Sequence, residues 1–159
     1  MTGSNVLTPH VTSRFPGSQL VVVFGCGLYE KKLTECLGIV GEQADRVALV
    51  VSSHFKSAPV TVLRQRLGQG EADNKEARLA KELAVESESE KPPSVGDGIR
   101  AAIALATGDG AGATVAPWVV IVCGSLFVAA DGRSFLASLM PFPPHDWVHH
   151  ADHQLFVYK

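Results

Sequence analysis

The sequence has little charge to offer a partner. Of its 159 residues 19% are charged, and the formal net charge is −2. So nearly neutral a chain gives no electrostatic case for nucleic acid or for an anionic membrane. No apolar run reaches the roughly 18 residues of a membrane-spanning helix, so no membrane insertion is expected. The N-terminus has neither the basic-then-apolar order of a secretory signal nor an Arg-rich amphipathic pattern. Cysteine is scarce as well. Cys26, Cys36 and Cys123 are odd in number and lie in or beside apolar stretches, which excludes a disulfide framework. Reduced thiols are expected, in a reducing intracellular compartment such as the cytoplasm or an organelle matrix.

What the sequence does have is apolar residues, 46% of the chain, at a length that makes one domain with a sizeable core. The stretch Val119 to Arg133, VVIVCGSLFVAADGR, organises the rest. Val119 to Cys123 is apolar without alternation, the pattern of a parallel strand covered by helices on both faces. Gly124-Ser125 breaks it, as glycine suits a tight strand-to-helix turn. In open α/β sheets, ligands sit at such turns, at the carboxyl ends of the strands.

Residues 1–18 read as a linker or surface arm, with Gly3, Pro9, Pro16 and Gly17 among many Ser and Thr. Leu20 to Phe24 (LVVVF) is another unalternating strand, and it ends in Gly25-Cys26-Gly27. A strand followed by G-x-G invites a dinucleotide site, but Glu30 stands where the third glycine belongs, so that reading is rejected. A helix is predicted over Glu30 to Val40, a strand over Arg46 to Ser52, and a helix from about Ala58 with the stripe Val62, Leu63, Arg66 and Leu67. Helical character should resume over Ala72 to Leu83, with a short strand near Leu83 to Val85 as an alternative. Glu86 to Pro93 (ESESEKPP) reads as a solvated loop. Ser94 to Ala106 is the best helix, with Ser94 as cap, Asp97 as its acidic partner, and Ile99, Ala102, Ile103 and Ala106 as its buried face. After the flexible GDGAGA connection come the strand at Val119 and a last helix from about Asp131 to Leu139. Alternating strands and helices imply right-handed crossovers and a three-layer, Rossmann-like α/β domain with a mainly parallel sheet. Leu20 to Phe24 and Val119 to Cys123 are expected as interior strands.

The tail from 141 to 159 differs in composition. It holds Trp147 and the candidate metal ligands His145, His149 and His153, the last two spaced to share a helix face. The reading preferred for the same residues is a polar tail that binds no metal. Phe142, Leu155, Phe156 and Tyr158 have no core of their own, so contact with the domain or with a protein partner is expected to order the tail.

VVIVCGSLFVAADGR resembles the closing motif of folylpolyglutamate synthases, a strand running into Gly-Ser-Leu, an aromatic residue and a short helix ending in Arg. Three further stretches resemble family elements in matching order. LVVVFGCGLYEKKLTECL is similar to the first strand of the region, its Phe-Gly turn and an acidic-Lys-acidic triplet. ADRVALVVSSHFKSAPVTVL is similar to the second strand and its Pro-Arg-Ala type loop, and SVGDGIRAAIALA to the helix before the closing strand. Together they span about Leu20 to Leu139, which the resemblance identifies as a C-terminal domain of the Mur ligase superfamily. Residues 19–140 are therefore taken as this domain, between the arm at 1–18 and the tail at 141–159. The triplet here is Glu30-Lys31-Lys32, with Lys at its third position, and the loop arginine maps to Lys56, which lacks the bidentate fork of arginine. The Asp-Gly-Ala-His segment that precedes the domain in the family is not found.

The resemblance implies ligase chemistry: ATP, with Mg²⁺, activates a carboxylate as an acyl phosphate, which an amino group then attacks. The family's phosphate loop lies in a separate ATPase domain, and no G-x-x-x-x-G-K-[ST] occurs in this sequence. The expectation is a domain lacking the ATPase half, inactive and binding no cofactor alone, acting as a fragment or subunit of such a ligase. The alternative is a non-catalytic scaffold subunit of a larger assembly, organellar or not. A residual nucleotide site would be sought at the strand ends, around Gly25, Lys31, Lys56, Gly124 and Ser125. As turn formers and solvated lysines, the same residues need no ligand.

Overall fold

The computed structural model describes residues 13–29, 32–69, 74–87, 90–108 and 117–139. Three strands form one parallel sheet: β1 (Gln19–Gly25), β2 (Arg46–Leu49) and β3 (Trp118–Gly124), in the order β2-β1-β3. Among the described residues, α1 (Leu33–Gln43), α2 (Val60–Leu67), α3 (Lys75–Ala80) and α4 (Val95–Ala106) lie between the strands, and α5 (Leu126–Leu139) follows β3. The architecture is a three-layer, Rossmann-like α/β fold. The unalternating strands explain it, because β1 and β3 set apolar side chains against the apolar clusters on both faces of the sheet.

Two apolar clusters lie against the two faces of the sheet. On one, Leu20, Val22 and Phe24 of β1 pack with Leu33, Leu37 and Val40 of α1 and with Leu63 and Leu67 of α2. On the other, Val21 and Val23 pack with Val95, Ile99 and Ala102 of α4 and with Val128 of α5. Odd and even positions of one apolar run thus serve different helices, as strand geometry requires.

β1 is the interior strand that its sequence predicts. β3 is not: among the described residues it is an edge strand, hydrogen-bonded to β1 alone, and only Ile121 along it is buried. Its apolar run records two covered faces, and a covered face says nothing about a lateral neighbour. On the far side, Val47 N–H donates to Lys81 O and Leu83 N–H to Val47 O, so a bridge at Glu82 flanks β2. That is a trace of the short strand considered near Leu83.

Helix α5 begins at Leu126, five residues before the predicted start at Asp131. Ser125 Oγ accepts from Val128 N–H at 3.4 Å, so the helix is capped at the turn itself and no loop intervenes. Helix α4 carries the predicted capping box: Ser94 Oγ accepts from Asp97 N–H and the Asp97 carboxylate accepts from Ser94 N–H. Its buried face is Val95, Gly98, Ile99 and Ala102, whereas Ile103 is exposed. One residue turns a helix by about 100°, which carries Ile103 out of the stripe. Helix α3 is shorter than the predicted Ala72 to Leu83, because the chain turns at Lys81 to pair with β2. Helix α1 starts at Leu33, and Pro59 caps α2 from outside its first turn. The arm up to residue 12, residues 30 and 31, the GDGAGA connection and the tail with its histidines lie outside the described residues.

Candidate functional site

All three strands point the same way, so their carboxyl ends converge at one end of the sheet. Gly25 of β1 is paired in register with Gly124 of β3. Gly124 has φ +125°, and a Cβ there would lie 1.8 Å from Gly25 O. A Cβ on Gly25 would meet Val50 O at 2.6 Å. Only glycine admits this approach and this backbone angle. Ser125 N–H donates to Gly25 O at 3.1 Å, and Ser125 O accepts from Ala129 N–H. The N–H, carbonyl and hydroxyl of Ser125 are therefore all engaged inside the turn that joins β3 to α5.

The loop after β2 closes over the same end. Ala58 N–H donates to Cys26 O and Leu28 N–H to Lys56 O, both at 2.8 Å, which ties the loop to the one after β1. Ser57 Oγ accepts from Ser52 N–H at 3.0 Å. Ser53 reaches the other way: its N–H and its hydroxyl each donate to one oxygen of Asp131 on α5, at 2.7 Å. The His54 ring stacks on Phe127 with centroids 3.8 Å apart and planes at 18°. His54 Nδ1 accepts from Lys56 N–H at 3.2 Å. The Lys56 ammonium lies 5.4 Å from the centroid of Phe55.

Of the five predicted site residues, the structure thus joins Gly25, Gly124 and Ser125 at one point and sets Lys56 in the loop beside them. Lys31 lies outside the described residues. The residues that knit this end together, Ser53, His54, Phe127 and Asp131, were not singled out by sequence. Ser53 and Asp131 are 78 positions apart, and no spacing rule links them. Around the knot stands a rim of exposed apolar side chains: Leu28, Tyr29, Phe55, Leu126 and Phe127.

Chemically reactive groups are few here. Cys26 is buried, and none of the three cysteines forms a disulfide. Burial, helped by Cys36, pushes the Cys123 thiol up to about 12, so it carries no thiolate at neutral pH and is a poor nucleophile. Among the described residues, no three His, Cys, Asp or Glu side chains converge on a metal position. No helix there is long and apolar enough to cross a membrane. A groove of about 400 Å³ lies elsewhere, over the outer side of β2, walled by Leu49, Val60, Leu79 and Leu83. The bidentate Arg64–Glu82 pair borders it.

The polar groups of the β3–α5 turn and of Asp131 already have partners within the chain. The Ser125 amide faces Gly25, its hydroxyl caps α5, and the nearby carboxylate of Asp131 is held by Ser53. A phosphate loop instead turns several backbone N–H groups towards one anion.

Neither a family model nor a curated protein sequence matches the chain. Solved structures do. Folylpolyglutamate synthase of Mycobacterium tuberculosis, complexed with ADP, matches at TM-score 0.60 and 16% identity, over 83% of this chain and 26% of the synthase. A structure of the same enzyme from the work with ADP and AMPPCP matches at TM-score 0.60 and 16% identity, over 89% of this chain and 28% of the synthase. The chain spans about a quarter of the length of the synthases it matches. At this identity the likeness establishes the fold: the α/β domain is built as that quarter of a folylpolyglutamate synthase is built.

Proposed function

We propose that the chain is a folylpolyglutamate synthase-like domain that serves as the accessory part of an ATP-dependent ligase and does no chemistry alone. The fold match, which takes in most of this chain and only a quarter of the synthase, carries the reading. Nucleotide and Mg²⁺ would then be held by a separate ATPase half, as a protein partner, and the carboxyl ends of β1, β2 and β3 would face it. In this scheme Lys56 is the exposed cation of the loop that carries arginine in the family. Its single ammonium would offer a point charge where arginine offers a fork.

A second reading, a non-catalytic scaffold subunit, has its own support. The donors at the β3–α5 turn are taken up internally, and apolar side chains dominate the rim around them.

Two measurements separate the readings. Titration of the isolated chain with ATP and Mg²⁺ should give no micromolar binding, and binding of that strength would sink the accessory reading. The assembly recovered with the chain from its source should release ADP only when both a folate and glutamate are present. An assembly without that turnover supports the scaffold.

A further inference from the structure

Strand β3 has a free side. Gln19 N–H donates to Pro117 O before the strand, and Ser125 N–H donates to Gly25 O after it. With the register unbroken between them, parallel alternation turns the backbone groups of Val119, Ile121 and Cys123 towards β1. Those of Trp118, Val120, Val122 and Gly124 then point away from the sheet, and among the described residues no strand pairs with them. Proteins blunt an open edge with charge, proline or a bulge. Trp118–Gly124, WVVIVCG, has no charged residue, no proline and no break in its register.

The side chains beside this edge restrict what can cover it. Val119, Ile121 and Cys123 lie on the face packed by α1 and α2, and Trp118, Val120 and Val122 on the face packed by α4 and α5. All but Ile121 are half-buried, so the edge is apolar on both faces and incomplete on both. A strand of alternating polarity would complete one face and set polar groups against the other. The occupant must be apolar without alternation, which is what β3 itself is.

Self-pairing also fits in register. A twofold axis beside Ile121, perpendicular to the sheet, runs two β3 strands antiparallel. Val120 of each then stands opposite Val122 of the other, and Trp118 opposite Gly124. These are the outward residues, so every outward N–H and C=O of the strand meets its complement. Ile121 meets its own copy and Val119 meets Cys123, so apolar side chains adjoin across the pair on both faces. One patch serves both partners, as an isologous interface requires.

We infer that β3 is a self-association edge, on which two copies of this chain join their sheets into one. The edge runs along the side of the sheet and not across its carboxyl ends, so the inference is independent of the ligase reading. Its test involves neither nucleotide nor folate.

Sedimentation and amide hydrogen exchange of the full chain over a range of concentrations provide the test. At high concentration the expected mass is twice the 16.9 kDa of one chain. The amides of Trp118, Val120, Val122 and Gly124 should exchange more slowly as the pair forms, while those of Val119, Ile121 and Cys123, already bonded to β1, should not change. In dilute solution the pair separates, and β3 is the half-buried strand of the single chain. Val120→Pro removes an outward donor and no bond to β1, so it should raise the dissociation constant about tenfold or more. Val122→Lys puts a charge on the edge and should weaken the pair by a similar factor. Circular dichroism of each variant checks that the fold is kept, and the exchange pattern of the wild type needs no variant. A chain that stays monomeric at the highest attainable concentration overturns the inference. So does a dimer whose dissociation constant neither variant changes. Outward amides equally protected at every dilution would mean that another segment of the chain covers the edge, and that result overturns it as well.

Discussion

β1 and β3 are the two long apolar strands of the sheet, paired side by side from Gln19 and Trp118 to Gly25 and Gly124, yet they are buried to different depths. Every residue of β1 after Gln19 is buried, whereas β3 buries Ile121 alone. Their helices differ in the same sense. Helix α1 buries Leu33, Leu37, Val40 and Gly41 within eleven residues, while the fourteen of α5 bury only Val128 and Gly132. Both strands have apolar neighbours above and below. The difference is lateral, since among the described residues β1 lies between two strands and β3 has one. A side chain's burial therefore depends on strand order as much as on the faces. The β3–α5 half is the more open part of the domain, joined to the closed half at the strand ends.

That joint should break most severely. Gly124→Ala places a methyl group on Gly25 O and asks for a φ of +125° from a residue that avoids it. The expected cost is ~4 kcal/mol or more, seen as loss of soluble folded protein or of most of the urea midpoint. A fully folded Gly124→Ala protein would show that the two strand ends separate freely.

The contrast between the strands can be sharpened directly. Val22→Ala in the centre of β1 should cost about 2 kcal/mol or more, by lost burial and a cavity that the sheet cannot close. Val120→Ala, half-buried on β3, should cost about 1 kcal/mol. Urea unfolding with unchanged slopes measures both. Equal losses would mean that another body covers β3 in solution.

A smaller effect belongs to the cap of α4. Burial alone would raise the Asp97 carboxyl, but bonds from the Ser94 N–H and hydroxyl, with Arg100 alongside, hold it below its ordinary 3.8. A lowered folded value means that the carboxylate stabilises above the unfolded pKa and that this contribution fades as pH falls through the folded one. Asp97→Asn should cost about 1 kcal/mol at neutral pH and should flatten the loss of stability below pH 3.8. An unchanged acid profile would remove Asp97 from that role.

Much of the layered fold was legible because each covered face writes an apolar run, and Ser94 with Asp97 wrote a cap that the structure reproduces. The edge position of β3 was not legible, since unalternating apolar residues report what lies above and below a strand and never what lies beside it. The start of α5 was missed for a different reason. Leu126 and Phe127 look like interior residues, yet they are the exposed first turn of a helix capped by Ser125. Gly25, Gly124 and Ser125 were legible as a turn. The clamp around them was not, because Ser53 and Asp131 meet only once β2 and α5 share one end of the sheet.

That clamp gives the smallest of the expected effects and the finest test of how the two halves are joined. Ser53 donates twice to Asp131, once from its backbone and once from its hydroxyl, at the surface where water competes for both. Ser53→Ala removes only the hydroxyl bond and should cost about 0.5–1 kcal/mol. Asp131→Asn keeps one acceptor oxygen but loses the charge that both bonds use, so its loss should be of similar size. If the two residues act through each other, the double variant should lose less than the sum, by a coupling of about 0.5 kcal/mol in a double-mutant cycle. The Val22→Ala and Val120→Ala proteins serve as controls, because neither touches the loop, and each should add independently to Ser53→Ala. A coupling indistinguishable from zero would leave the β2–α2 loop and α5 as neighbours without a bond of consequence. The two halves would then be held at this end by the Gly25–Gly124 contact and the turn at Ser125.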